Sequence, residues 1–230
     1  MELPMNSLSD RVRDDFDLIA DLPDEGWNHN RQYHDWILDT LPDSLENVLE
    51  VGCGKGDFCC RLASRAQHVI GLDFSPRMIE RAREECRELS NVEFVLGDFQ
   101  SWEGPTQPID VIVSIATLHH LDLRIFARRA NSFLRPGGLL VIVDLRHDAS
   151  VVDRFLSVVA VITSLWKRWR NSARLRPSVE SRSVWDKHAE IDQYLSFHEA
   201  ASLWKDLLHG SVVRRHLFWR YSVTWRKPVE

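Results

Sequence analysis

Between residues 46 and 145 the chain alternates short, nearly unbroken apolar runs with longer stretches whose apolar positions recur at helical spacing. The runs at 47–52, 68–73, 92–96, 109–114 and 139–144 predict five strands. Segments 57–66, 76–89 and 123–134 predict helices between them, the last closed by Pro136-Gly137-Gly138. Strands rich in Val, Ile and Leu, each followed by a helix, predict a parallel sheet covered on both faces. Ahead of it, 10–22 and 29–41 predict two helices that form an N-terminal lid. Behind it, 151–169 predicts a long helix, apolar except for a narrow stripe of Asp153, Ser157, Ala160, Ser164 and Lys167. Ser196-Phe197-His198-Glu199 has the form of a capping box for a helix running to 208. Finally, 212–217 and 221–225 predict two short strands paired as an antiparallel hairpin at the sheet edge. The expectation is one domain over 1–230: a doubly wound α/β fold with a mostly parallel seven-stranded sheet. Its parts are a helical lid (1–45), a core (46–145), a helical insertion after strand five (146–195), and a helix with a hairpin (196–230).

Composition narrows the partners. The 230 residues are 44% hydrophobic and 27% charged, which suits one globular core. A net charge of −5 gives no overall positive field to draw the chain onto nucleic acid. Charge and aromatics are unevenly placed, however. Residues 151–176 hold Arg154, Lys167, Arg168, Arg170, Arg174 and Arg176 against Asp153 alone. Of nine tryptophans, Trp166, Trp169, Trp185, Trp204, Trp219 and Trp225 fall in the last third, which reads as part of an acceptor pocket. Trp166, Trp169 and the arginines after them also fit contact with an anionic membrane surface, but a core-packed helix with a solvated basic end is the favoured reading. Cys53, Cys59, Cys60 and Cys86 have no zinc-like spacing, so reduced thiols and a cytoplasmic location are expected. The N-terminus lacks a secretory signal pattern, and no apolar run is long enough to span a bilayer.

In an open α/β sheet, ligands bind beyond the carboxyl ends of the strands. Glu50-Val51-Gly52-Cys53-Gly54-Lys55-Gly56 joins the first strand to a helix there, with glycines where a ligand must approach the backbone. The dinucleotide fingerprint needs its third small residue at position 57, which is Asp57, so a nicotinamide cofactor is disfavoured. Asp73 ends the second strand, placed to accept hydrogen bonds from both hydroxyls of a ribose. Asp98 ends the third, placed to accept from an adenine amine. Phe74 and Met78 offer apolar contact to the ring. These residues describe a nucleoside site without a phosphate clamp.

Five segments, 48–58, 71–83, 92–98, 109–114 and 133–143, resemble in order the motifs of class I S-adenosylmethionine-dependent methyltransferases, most closely the small-molecule, quinone-biosynthesis type. The resemblance implies S-adenosylmethionine as cofactor and S-adenosylhomocysteine as product. It places Glu50, Gly52, Cys53 and Gly54 at the methionine part, Asp73 at the ribose, Asp98 and Phe99 at the adenine, and Ile115 and Ala116 beside the sulfonium. It also implies that Tyr33, in the lid, touches the cofactor's carboxylate.

Methyl transfer from a sulfonium is an in-line displacement on an activated carbon, so the protein supplies alignment, desolvation and, for a protonated nucleophile, a base. No metal is needed for that step. Candidate bases are His119 and His120 after strand four, of which one is expected to face inward, and His188 in a polar loop of the insertion. Strand four ends Ser114-Ile115-Ala116-Thr117, without the Asn/Asp-Pro-Pro-aromatic grip of amide and nucleobase methylation. The expected acceptor is therefore a small, aromatic or lipid-like molecule. A catalytically silent cofactor-binding sensor or partner subunit is the alternative. Oligomeric state is left open by the sequence.

Overall fold

The computed structural model describes residues 5–23, 30–148, 153, 160, 161, 163, 178–189 and 192–229. Strands β1 (Leu45–Val51), β2 (Ala66–Asp73), β3 (Val92–Leu96), β4 (Ile109–Ile115), β5 (Leu134–Leu145), β6 (Val212–His216) and β7 (Arg220–Arg226) form one sheet ordered β3-β2-β1-β4-β5-β7-β6. The first five run parallel. The two-stranded tail is antiparallel, with β7 against β5 and β6 against β7. Strand order reverses between β1 and β4, so the switch point falls at the glycine turn after β1.

Period-two alternation explains the layers. On one face Val48, Val111, Val113, Val141 and Val143 are buried with Ile37, Phe58, Leu62 and Ile79 from helices α2 (His34–Thr40), α3 (Asp57–Leu62) and α4 (Pro76–Glu85). Their neighbours Leu49, Ile112, Leu140 and Ile142 face the other way, onto α5 (Leu123–Phe133) and α7 (Phe197–Leu207), beside Phe126 and Trp204. On the outside, α1 (Met5–Ala20) lies against α4 and against α6 (Val179–Ala189).

Local chemistry starts the helices. Ser75 caps α4, its Oγ accepting from Met78 N at 3.0 Å with Pro76 next in line, and Asp122 caps α5. The expected capping box of Ser196 and Glu199 opens α7. Helix α3 stops at Leu62, short of the expected end, because Ala66 already pairs with Leu45 in the sheet. Strand β5 begins early, at Leu134. Its register with β4 passes from Ile109↔Leu134 to Val111↔Leu139, so the Pro-Gly-Gly segment bulges out within the strand.

Two expectations are corrected. The thiols are not all reduced: Cys60 and Cys86 form a disulfide, because α3 and α4 pack with these Cα atoms 5.7 Å apart, while Cys53 and Cys59 are free and buried. The tryptophan skew is also structural at two of its six positions. Trp204 and Trp225 are core residues, Trp204 fully buried with its indole N–H donating to the Tyr221 hydroxyl at 3.3 Å, and Trp185 is half exposed. Of the helix expected over 151–169, Asp153, Ala160, Val161 and Thr163 are helical. Trp166, Trp169 and the basic residues of that stretch lie outside the described residues. Among the described residues no helix is long and apolar enough to cross a membrane.

Candidate active site

The turn after β1 is built for close approach. Gly52 and Gly54 have φ of 73° and 53°, a region that side chains disfavour. A Cβ at Gly52 would fall 2.1 Å from Thr117 Oγ1, whereas at Gly54 nothing lies within 4 Å. The Asp73 carboxylate closes the turn, Oδ2 accepting from Gly54 N and Oδ1 from Ser75 N, both at 2.9 Å. Burial pushes Asp73 above the usual carboxylate range, against the pull of those backbone donors. Gly97 N donates to Asp73 O at 2.9 Å, and Asp98 is exposed, its Oδ1 accepting from Gln100 N. An open backbone cradle flanked by two strand-end acids fits a nucleoside with its ribose over Asp73.

The other site candidates differ in how far their side chains are buried. Phe99 is part of the hydrophobic core, its ring 5.0 Å from Phe126 and 5.8 Å from Phe133, because the β3 end turns that side chain beneath the sheet. Cys53 is buried, its thiol pushed up to about 11 by burial, so only its backbone belongs to the turn. Met78 is covered by Ile19 and Ala20 of α1, and Phe74 meets Phe16 of the same helix edge-on. Ile115 is buried at the end of β4, and Ala116 follows with φ of 52°, held by its N–H to Val143 O at 2.7 Å.

The lid is tied to this turn by charge. Arg31 grips Asp57 with Nε and Nη2, Lys55 Nζ donates to Leu22 O, and the Ser75 hydroxyl donates to Asp17 of α1 at 2.6 Å. Tyr33 is buried, and its hydroxyl donates to Leu217 O in the hairpin turn. Burial raises that phenol to about 12.

Glu50 is buried at the end of β1, where Cys59 Sγ donates to its Oε2 at 2.9 Å. Burial, reinforced by the charges of Asp57 and Asp73, raises its pKa to about 8 against the opposing thiol hydrogen bond. A carboxyl near 8 when folded and near 4.5 when unfolded binds its proton more tightly in the fold. Its contribution is therefore complete below about pH 4.5 and is lost as pH rises through 8, a decline of a few kcal/mol at about 1.4 kcal/mol per pH unit. Glu50→Gln should flatten the dependence, matching wild type near pH 5 and exceeding it near pH 9 in urea unfolding. Parallel stability curves would rule out this role for Glu50.

The three candidate bases converge on one acid. His119 and His120 lie in a short 3-10 turn after β4, their ring centroids 4.0 Å apart. Both turn inward, where one was expected, because Asp144 at the end of β5 draws one ring and Asp192 the other. His119 Nδ1 is 2.8 Å from Asp144 Oδ1, and its Nε2 is 4.0 Å from Asp192 Oδ2. His120 Nδ1 is 3.6 Å from Asp192 Oδ1. His188 is not in a loop: it occupies the last turn of α6, is 2% exposed, and sits 3.6 Å from Asp192 and 3.4 Å from Asp15 of α1. Phe16 lies edge-on to His120 and His188, and Tyr194 hydrogen-bonds Asp192. Burial, with the two neighbouring imidazoles, pushes His120 down to about 2 and keeps it neutral. Ligand atoms of His119, His120 and Asp192 lie within 4.8 Å of one another, so these three could hold a metal ion.

Sequence reasoning passed over Asp144 and Asp192. Asp144 carried the same signal as Asp73, an acid at the carboxyl end of a core strand. Asp192 follows His188 by four residues, and although α6 ends at Ala189 the two side chains approach to 3.6 Å. Phe16 carried no signal, since its role depends on where α1 docks.

A family model of a methyltransferase domain matches residues 48–138. An uncharacterized methyltransferase of Mycobacterium tuberculosis is 30% identical over 213 residues, covering 90% of this chain and 100% of its own. The 2-methyl-6-phytyl-1,4-hydroquinone methyltransferase of Synechocystis is 32% identical over 140 residues, 59% of this chain and 43% of its own. Among solved structures, the N-methyltransferase NodS of Bradyrhizobium japonicum with S-adenosylhomocysteine has a TM-score of 0.59 at 19% identity over 97% of both chains, a likeness of fold.

Proposed function

This chain belongs to the class I S-adenosylmethionine-dependent methyltransferases, and from that membership we propose that it moves the cofactor's methyl group by in-line displacement onto an O, N or C nucleophile of a small aromatic or lipid-like molecule. The observation that carries this reading is the buried cluster of His119, His120, His188 and Asp192 beside the glycine turn. Asp73 takes the ribose hydroxyls, Asp98 the adenine edge, and the backbone of Gly52 to Gly54 the methionine part. Bound S-adenosylmethionine supplies an electrophilic methyl. The chain's residues then orient the acceptor, exclude water and hold its proton. His119 is the base: Asp144 fixes its Nδ1, leaving Nε2 to accept a proton from the nucleophile. Phe16, Phe74 and Tyr194 give the site aromatic walls, and the relative that methylates a hydroquinone supports an aromatic acceptor.

Labelled methyl from S-adenosylmethionine, offered with hydroquinones, aromatic acids, fatty acids, total RNA and cell protein, is expected in the small-molecule fraction. Label confined to RNA or protein would overturn the acceptor class.

A further inference from the structure

Arg220 opens β7 opposite Leu145, at the carboxyl end of β5 where this fold binds its ligands. It is 8% exposed. Nη1 donates to Phe218 O at 3.0 Å and Nη2 to Asn30 Oδ1 at 2.9 Å, while the buried Nε has no partner. Among the described residues no carboxylate forms an ion pair with it. Arg146, buried nearby, differs in its charge pairing: its Nε also has no partner, but its Nη1 meets Asp148 at 3.1 Å and Asp153 at 2.7 Å. A buried guanidinium without a carboxylate in direct contact is costly unless an anion arrives to meet it.

The guanidinium is also held in place. Phe218 and Trp219, in the three-residue loop between His216 and Arg220, both have φ of 56°, a left-handed conformation that favours Gly and Asn. Two bulky residues stay there only when their surroundings hold them. The turn's carbonyls do that work: Leu217 O accepts from Tyr33, Phe218 O from Arg220, and Trp219 O from Arg146 N. Asp144 lies one register position along, opposite Tyr221, so Arg220 is at the same end of the sheet as the His119–Asp144 pair.

We propose that Arg220 is an anion subsite of the acceptor pocket, and that the acceptor carries a carboxylate which docks on its Nε–H. This rests on the reading that the acceptor enters beside His119. The cofactor's methionine half also ends in a carboxylate, so the test must separate the two sources.

With the full chain saturated in S-adenosylhomocysteine, titrate benzoate, succinate and octanoate beside their amides. At least one carboxylate is expected to bind about tenfold more tightly than its amide, the size of one charge-assisted hydrogen bond. Arg220→Met should erase that preference and leave S-adenosylhomocysteine affinity unchanged, and Arg220→Lys should reduce it. Lack of any carboxylate preference in wild type overturns the proposal, and needs no variant to fold. So does a variant that loses S-adenosylhomocysteine but keeps 5′-methylthioadenosine, since that places the carboxylate on the cofactor. The readout is binding, so His119→Ala should retain the preference even if His119 is not the base.

Discussion

Asp73→Ala is expected to weaken S-adenosylhomocysteine binding by about two to four powers of ten. Two charge-assisted hydrogen bonds to the ribose, at about 1.5–3 kcal/mol each, are removed together, and each 1.4 kcal/mol is tenfold in affinity. The carboxylate has a second duty, because it holds Gly54 N and Ser75 N and so shapes the turn. The ligand series separates these effects. 5′-Methylthioadenosine keeps the ribose and should suffer as S-adenosylhomocysteine does, whereas free adenine should bind the variant as it binds wild type. Asp73→Asn keeps one acceptor oxygen and should fall between. Titration calorimetry giving wild-type affinity for Asp73→Ala would break the ribose assignment. An equal loss for adenine would assign Asp73 to the turn alone.

The glycine turn and the acids proposed for the cofactor were legible in sequence because they are local. Glycines at a strand end and acids at the next two strand ends are fixed by period and spacing, and the sheet then aligns them without further information. Side-chain direction was less legible. Phe99 lies one residue from Asp98, yet the chain's turn after β3 sends its ring into the core, which no pattern along the sequence reveals. The histidine cluster proposed for the acceptor is assembled from four distant segments: α1, the turn after β4, the end of β5, and α6 with the segment after it. His188 reads as a surface residue in a polar stretch until α1 and Asp192 close over it. Trp204 and Trp225 misled for the complementary reason: a large aromatic marks burial, and burial in the core looks the same in sequence as burial around a ligand.

His119→Ala should lower kcat by about 10² to 10⁴, the range of a positioned base, with S-adenosylhomocysteine affinity unchanged. The choice of His119 over its neighbours is geometric. Its Nδ1 is engaged by Asp144 at 2.8 Å, which fixes the proton there and leaves Nε2 as acceptor. His120, pushed down to about 2, is too weak a base to take a proton from a hydroxyl or an amine, so His120→Ala should cost less. Asp144→Asn would let the imidazole adopt the other tautomer, and it should lose most of the activity lost in His119→Ala while leaving the fold and cofactor binding intact. Added imidazole should restore part of the turnover to His119→Ala, because the deletion opens space beside Asp144, and should do nothing for Asp144→Asn. The metal-capable spacing of His119, His120 and Asp192 sets the opposing outcome. If a chelator abolishes wild-type turnover and zinc or manganese restores it, these side chains act as ligands. If His119→Ala keeps wild-type kcat, the nucleophile reaches the sulfonium already deprotonated.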